Sequence, residues 1–226
     1  MTDTTTTGST RIWDLPLRLF HWTLVPLFAF SWWSGENHEM DWHRLSGYCI
    51  LALLVFRIWW GFAGSRTARF SQFVRGPGAV LGYARTLFSR SSHTADGHNP
   101  LGGWSVVAML AVLVLMVIAG LFAVDVDGLE SGPLADYVSF DQGRAASELH
   151  ETVFKAIMIL VIVHVAAIMF YLHVKRQNLV RPMITGRRAS AAGHTAADVR
   201  WSPVLALVGL AIAGALAWAV STGFHF

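Results

Sequence analysis

Four histidines stand inside long apolar runs of this chain: His21, His43, His150 and His164. An imidazole in hydrocarbon is expensive to keep, so its default reading is a functional one. His150 and His164 share the run HETVFKAIMILVIVHVAAIMFYLH and lie fourteen residues apart. That is nearly four whole helical turns, so both face one side, roughly 21 Å apart along the axis. One helix thus offers two nitrogen ligands, one toward each membrane surface.

Composition says what must position them. Of 226 residues, 54% are apolar and only 14% charged, against about 25% charged in an average soluble domain. Mean hydropathy is +0.48. The chain is expected in a membrane, and its ten Trp and fourteen Phe suit interfacial belts and lipid-facing helices. The one cysteine, Cys49, excludes a disulfide framework, a CxxC redox pair and a covalent CxxCH haem attachment.

Five spans are expected after a threonine-rich, disordered cytoplasmic tail over residues 1–13. Asp14 caps the first helix, with Pro16 in its first turn. No charge appears from Leu19 to Gly35, and no small-residue cleavage site follows, so the run reads as a retained helix with a kink at Pro26. The second span runs from Asp41 or Trp42 to Phe62, with His43 in its first turn and Arg57 toward its far end. Between Ser65 and Asn99 arginines alternate with Phe, Val, Leu and Tyr, which suits a segment on the membrane surface. Asn99–Pro100 signals a third helix, and Trp104–Val124 carries no charge. Ser147 is the expected cap of the fourth helix, with Glu148 in its first turn. A basic and polar linker over 187–202 leads to a fifth span, Pro203–Val220, in a terminal unit of 203–226.

Charge placement orients these spans. Arg11, Arg18, Arg66, Arg69, Arg75, Arg85, Arg90, Lys175, Arg176, Arg181, Arg187, Arg188 and Arg200 fall on one side. The other side holds only Arg44 and Arg144, among Glu36, Glu39, Asp41, Asp125, Asp127, Glu130, Asp136, Asp141 and Glu148. The positive-inside rule makes the N-terminus cytoplasmic and the acidic loops and C-terminus external. The pI near 9.4 is thereby explained without a nucleic-acid partner.

Orientation fixes depth. His43 and His150 lie near the outer surface, and His21 and His164 in the inner half. Two imidazole pairs about 20 Å apart suit two b-type haems stacked across the membrane. A lone buried His is more often a hydrogen-bonded packing residue; depth-matched pairing is what favours ligation. A bare metal site or proton relay would recruit carboxylates, and no span interior carries one. His173 falls on the opposite face beside Lys175 and reads as a surface residue. His38, His93, His98, His194 and His225 read as solvated. Arg57 lies fourteen residues after His43, so it faces the inner site, either to bond a haem propionate or to snorkel to the headgroups. Lys155 is a weaker candidate for the same role at the outer haem. Gly47 would let a flat macrocycle approach the backbone, or else mark a helix contact.

The order RIWDLPLRLFHW, DWHRLSGY, HNPLGGWSVVAML, ELHE with a second His fourteen residues on, and NLVRPMITG resembles the prokaryotic cytochrome b561 family. That family includes the b-type subunit of membrane-bound nickel hydrogenases. The resemblance covers 11–186. It implies an all-α, integral membrane four-helix bundle binding two haems b within 14–186, plus a fifth C-terminal transmembrane helix beyond the core. Packing on the bundle, a homodimer contact and a partner-subunit contact are all open to that helix. The implied axial ligands are His21, His43, His150 and His164, paired as derived above. Bis-histidine iron has no open position, which favours electron transfer over oxygen activation. The resemblance implies exchange with quinone, as substrate or ligand, and with a periplasmic redox protein such as a c-type cytochrome, dehydrogenase or hydrogenase. The alternatives are a superoxide:quinone oxidoreductase of the same fold and a non-redox membrane protein handling metal or protons. The expected location is the bacterial inner membrane, in contact with its lipid.

Overall fold

A computed structural model describes residues 9–87, 97–189 and 199–225, so the expectations for His93 and His194 lie outside the described residues. In chain order, strand β1 (Ser9–Arg11) leads into helices α1 (Leu15–Glu36) and α2 (Met40–Ala63). Short helices α3 (Phe70–Phe73) and α4 (Pro77–Thr86) precede α5 (Pro100–Phe122). A 3-10 turn (Ala135–Tyr137) then opens the way to α6 (Phe140–His173), α7 (Val180–Thr185), strand β2 (Arg187–Ala189) and α8 (Pro203–Ser221). Among the described residues the fold is helical apart from the antiparallel β1–β2 pair and an isolated bridge between Val124 and Ser131.

Packing makes two hairpin pairs. α1 lies on α2 and α5 on α6, and α2 meets α5 between them. α8 lies along α2, burying Ala206, Gly209, Ala213 and Ala217, while Trp59 Nε1 donates to Leu205 O at 3.0 Å. Small residues allow that close approach. Helices α2, α5, α6 and α8 are each long and apolar enough to cross a membrane. α1 has the length, 22 residues, but Arg18, Thr23, Ser31, Ser34 and three tryptophans dilute its apolar character.

Helix starts follow their sequence signals. Asp14 caps α1, accepting from Leu17 N at 2.7 Å. Asn99 caps α5 from Gly102 N at 2.8 Å, and Ser202 caps α8. α1 continues through Pro26. α6 departs from expectation. Ser147 does not cap it; Ser139, eleven residues before His150, forms a capping box with Gln142, and Ser147 Oγ donates to Val124 O at 2.8 Å instead. At 34 residues α6 is about 50 Å long, well beyond a hydrocarbon layer of about 30 Å. Its first turns therefore brace the Val124 end of the α5–α6 connection.

The N-terminus also differs. Order begins before residue 14: Ser9–Arg11 pair with Arg187–Ala189, and Ile12 and Trp13 are buried. Ile12 N and Trp13 N both donate to Gly186 O, at 2.8 and 3.2 Å. Gly186 sits at φ 78°, a left-handed cap that turns α7 into β2, and a Cβ there would press on Trp13 O. Apolar Ile12 and Trp13 thus join the core beyond the polar tail. Likewise β2 takes residues 187–189 from the expected linker.

Asp14 fastens this end together. Fully buried, it caps α1 through Oδ1 while Oδ2 accepts from Trp60 Nε1 at 3.0 Å and from the Ser65 hydroxyl. One carboxylate thus joins the start of α1 to the end of α2. Asp14→Ala removes the cap and strands two buried donors, so stability should fall by about 2–4 kcal/mol. A thermal midpoint lowered by roughly 4 °C or more checks this; an unchanged midpoint contradicts it.

Candidate functional site

The outer histidines are brought together. His43, in the first turn of α2, and His150, on α6, have ring centroids 6.0 Å apart with planes at 83°. Each commits its Nδ1 proton to a backbone carbonyl: His43 to Ser31 O and His150 to Met116 O, both at 2.8 Å. Imidazole carries one proton when neutral, so these bonds leave each Nε2 lone pair free. Carbonyl partners of this kind fix the tautomer and ring orientation of a metal ligand.

Two glycines shape the pocket around these rings. A Cβ at Gly35 would stand 3.0 Å from His43 Nδ1, and one at Gly120 would stand 3.0 Å from His150 Nδ1 and Cε1. A side chain at either position would press on its ring, which would have to shift by a few tenths of an ångström.

Donor chemistry indicates what fits. An imidazole nitrogen sits about 2 Å from a bound metal, so two trans imidazoles on one ion have centroids roughly 6 Å apart. The spacing matches. Among the described residues no group of three or more His, Cys, Asp or Glu converges to hold a bare ion. Two imidazole nitrogens on adjacent rings would suit an ion whose remaining ligands come from a macrocycle, as in haem. Gly47, one turn beyond His43 on α2, has nothing near its Cβ position.

His21 on α1 lies within electrostatic range of His164 on α6. The Nδ1 of His21 is buried and unpartnered. Arg57 is 1% exposed, lies 5.0 Å over the Phe70 ring, and leaves Nη1 and Nη2 unpaired. It does not snorkel. Lys155 is exposed on α6.

One buried histidine departs from the expectation. His98, expected in solvent, has its ring between Trp13 at 4.7 Å and Phe73 at 4.8 Å, with Nδ1 buried and unpartnered. Burial, with the Arg57 and His164 charges nearby, pushes it down to about 3. It is neutral at physiological pH. Its apolar cage comes from β1–α1 and α3, so local polarity alone gave no signal. His38, His173 and His225 are exposed, as expected.

A helical membrane bundle that brings two imidazoles together, each with its Nδ1 proton committed to a carbonyl, has the form of a b-type cytochrome. The model of the prokaryotic cytochrome b561 family matches residues 12–186, and the chain belongs to that family. It is similar to two proteins each named a probable Ni/Fe-hydrogenase B-type cytochrome subunit. The one from Azotobacter chroococcum mcd 1 is 24% identical over 212 residues, covering 78% of this chain and 87% of the relative. The one from Azotobacter vinelandii is 25% identical with the same coverage. No solved structure matches. The chain is a membrane b-type cytochrome, an electron-transfer protein that uses haem b.

The glycine contacts give a direct check. Gly120→Val should displace the His150 ring and lower haem content per chain, read by pyridine haemochrome. Gly214→Ala on α8, whose Cβ meets nothing, serves as control. Equal haem in both variants contradicts the cradle.

Proposed function

We propose that this chain carries electrons across the bacterial inner membrane between the quinone pool and a periplasmic redox protein, through two haems b. The observation that carries the reading is the outer pair, His43 and His150, 6.0 Å apart with both Nδ1 protons committed to carbonyls. Haem iron, when bound, supplies one-electron redox chemistry. His43 and His150 hold the outer group and His21 with His164 the inner one. Their placement on α1, α2 and α6 makes α6 the wall common to both sites. Fourteen residues between His150 and His164 set a spacing of roughly 21 Å along that wall. Gly47 leaves room beside α2 for a macrocycle, and the unpaired guanidinium of Arg57 suits a propionate. Lys155, exposed on α6, is the weaker counterpart at the outer site.

Five spans with a cytoplasmic N-terminus follow from the basic residues on one side and the acidic loops on the other. In that orientation the outer face carries exposed Glu36, Glu39, Asp41, Asp125, Asp127, Asp136 and Asp141. Arg44, bonded to both Asp41 and Glu130, ties the start of α2 to the α5–α6 loop and steadies this face. A partner with a basic docking surface would be steered there, chiefly in association rate. The naming of both relatives as hydrogenase subunits supports a redox enzyme as that partner.

Anaerobic mixing of the purified, oxidised protein with ubiquinol and menaquinol analogues tests the quinone link. Haem reduction, seen as growth of the b-type alpha band, is expected with at least one of them. Haem that stays oxidised with every quinol of suitable potential contradicts the link.

A further inference from the structure

We propose that His98 and Arg57 form a two-donor clamp for one carboxylate, a propionate of the inner haem. The clamp rests on the reading that His21 and His164 hold a haem. Among the described residues, every buried side-chain nitrogen or oxygen without a partner belongs to His21, Arg57 or His98. An unpaired buried polar group is costly, and an unpaired buried cation far more so. Three such residues in one fold mark the place of a missing polar ligand.

A relay of aromatic contacts joins Arg57 to His98, and the two lie within electrostatic range of each other. The guanidinium stacks over Phe70, Phe70 meets Phe73 at 5.7 Å, and Phe73 meets the His98 ring at 4.8 Å. Among the described residues no carboxylate pairs with Arg57. Asp14 is near enough for its charge to reach Arg57, but its oxygens already take Leu17 N, Trp60 Nε1 and the Ser65 hydroxyl. An anion that arrives with a ligand would complete the guanidinium.

Charge and hydrogen bonding then balance. Arg57 supplies the one positive charge a carboxylate needs. His98, neutral in its apolar cage, adds a donated N–H and no second charge. Gly97 delivers it: at φ 129° this glycine holds a backbone that side-chain-bearing residues rarely adopt, placing His98 inward while Asn99 caps α5. His98 is a positioning residue for the cofactor and is not an axial ligand.

The experiment uses the full-length, haem-loaded protein and reads potentiometric titrations and the propionate bending modes in resonance Raman. His98→Phe keeps the ring between Trp13 and Phe73 but removes the donor, and His98→Gln restores an N–H. Loss of the bond leaves more negative charge near the iron and favours the oxidised state. His98→Phe should lower the midpoint of one haem and shift one propionate mode, and His98→Gln should recover most of both. Arg57→Leu should lower the same midpoint further. Identical midpoints and modes in His98→Phe and wild type overturn the clamp. If His98→Phe loads one haem fewer, His98→Gln decides: recovered loading supports the clamp, and continued loss overturns it. His21→Ala tests the underlying reading separately, because full haem content in that variant removes the inner haem itself.

Discussion

Hydrocarbon tolerates a polar side chain only when that side chain has a partner, and the architecture of this cytochrome follows from that constraint. At the outer site it is met by main-chain carbonyls. His43 and His150 each spend a proton on a carbonyl, of Ser31 and of Met116, and the same bond that makes the imidazole tolerable leaves its other nitrogen free. At the other end Asp14, fully buried, meets the constraint with a backbone amide, an indole and a hydroxyl. Only His21, Arg57 and His98 hold buried polar atoms left over among the described residues. Polar groups are thus satisfied around His43, His150 and Asp14, and left unpaired at His21, Arg57 and His98.

Mechanical consequences run from these bonds. Asp14 fixes the N-terminal end of α1 to the C-terminal end of α2, which sets where His21 stands relative to Arg57. The α7 turn is held against α1 by Arg18 to Ile184 O and by Trp22 Nε1 to Met183 O at 3.0 Å. Gly186 then passes the chain to β2, which pairs with β1. The family match closes at residue 186, so the matched unit is also a mechanical one. α8 lies beyond it and rests on α2 through small residues.

Much of this was legible in the sequence because it depends on local signals. Asp14, Asn99 and Ser202 cap helices where polar residues precede apolar runs, and the fourteen-residue spacing of His150 and His164 is a property of the helix itself. Other features depend on distant partners. The Ser139 capping box lay hidden behind a polar stretch that reads as loop, so Ser147 took the part of a cap it does not play. Ile12 and Trp13 follow a polar tail, and distant partners make them core: Thr67, His98 and, more than 170 residues on, Gly186. His98 looks solvated between polar neighbours because its cage comes from Trp13 and Phe73. Gly35 and Gly120 carry no signal at all until the histidines they face are in place. α1 shows the limit of hydropathy, since its tryptophans and hydroxyls conceal a helix of spanning length.

The central claim is that α6 is one wall serving two haems. Haem per chain, counted by pyridine haemochrome in the wild type, His150→Ala and His164→Ala, tests it most directly. The account predicts two haems, then one in each variant, with the surviving haem differing in midpoint potential between them. A substitution that leaves the count at two, or either one alone that abolishes both haems in a folded protein, contradicts it.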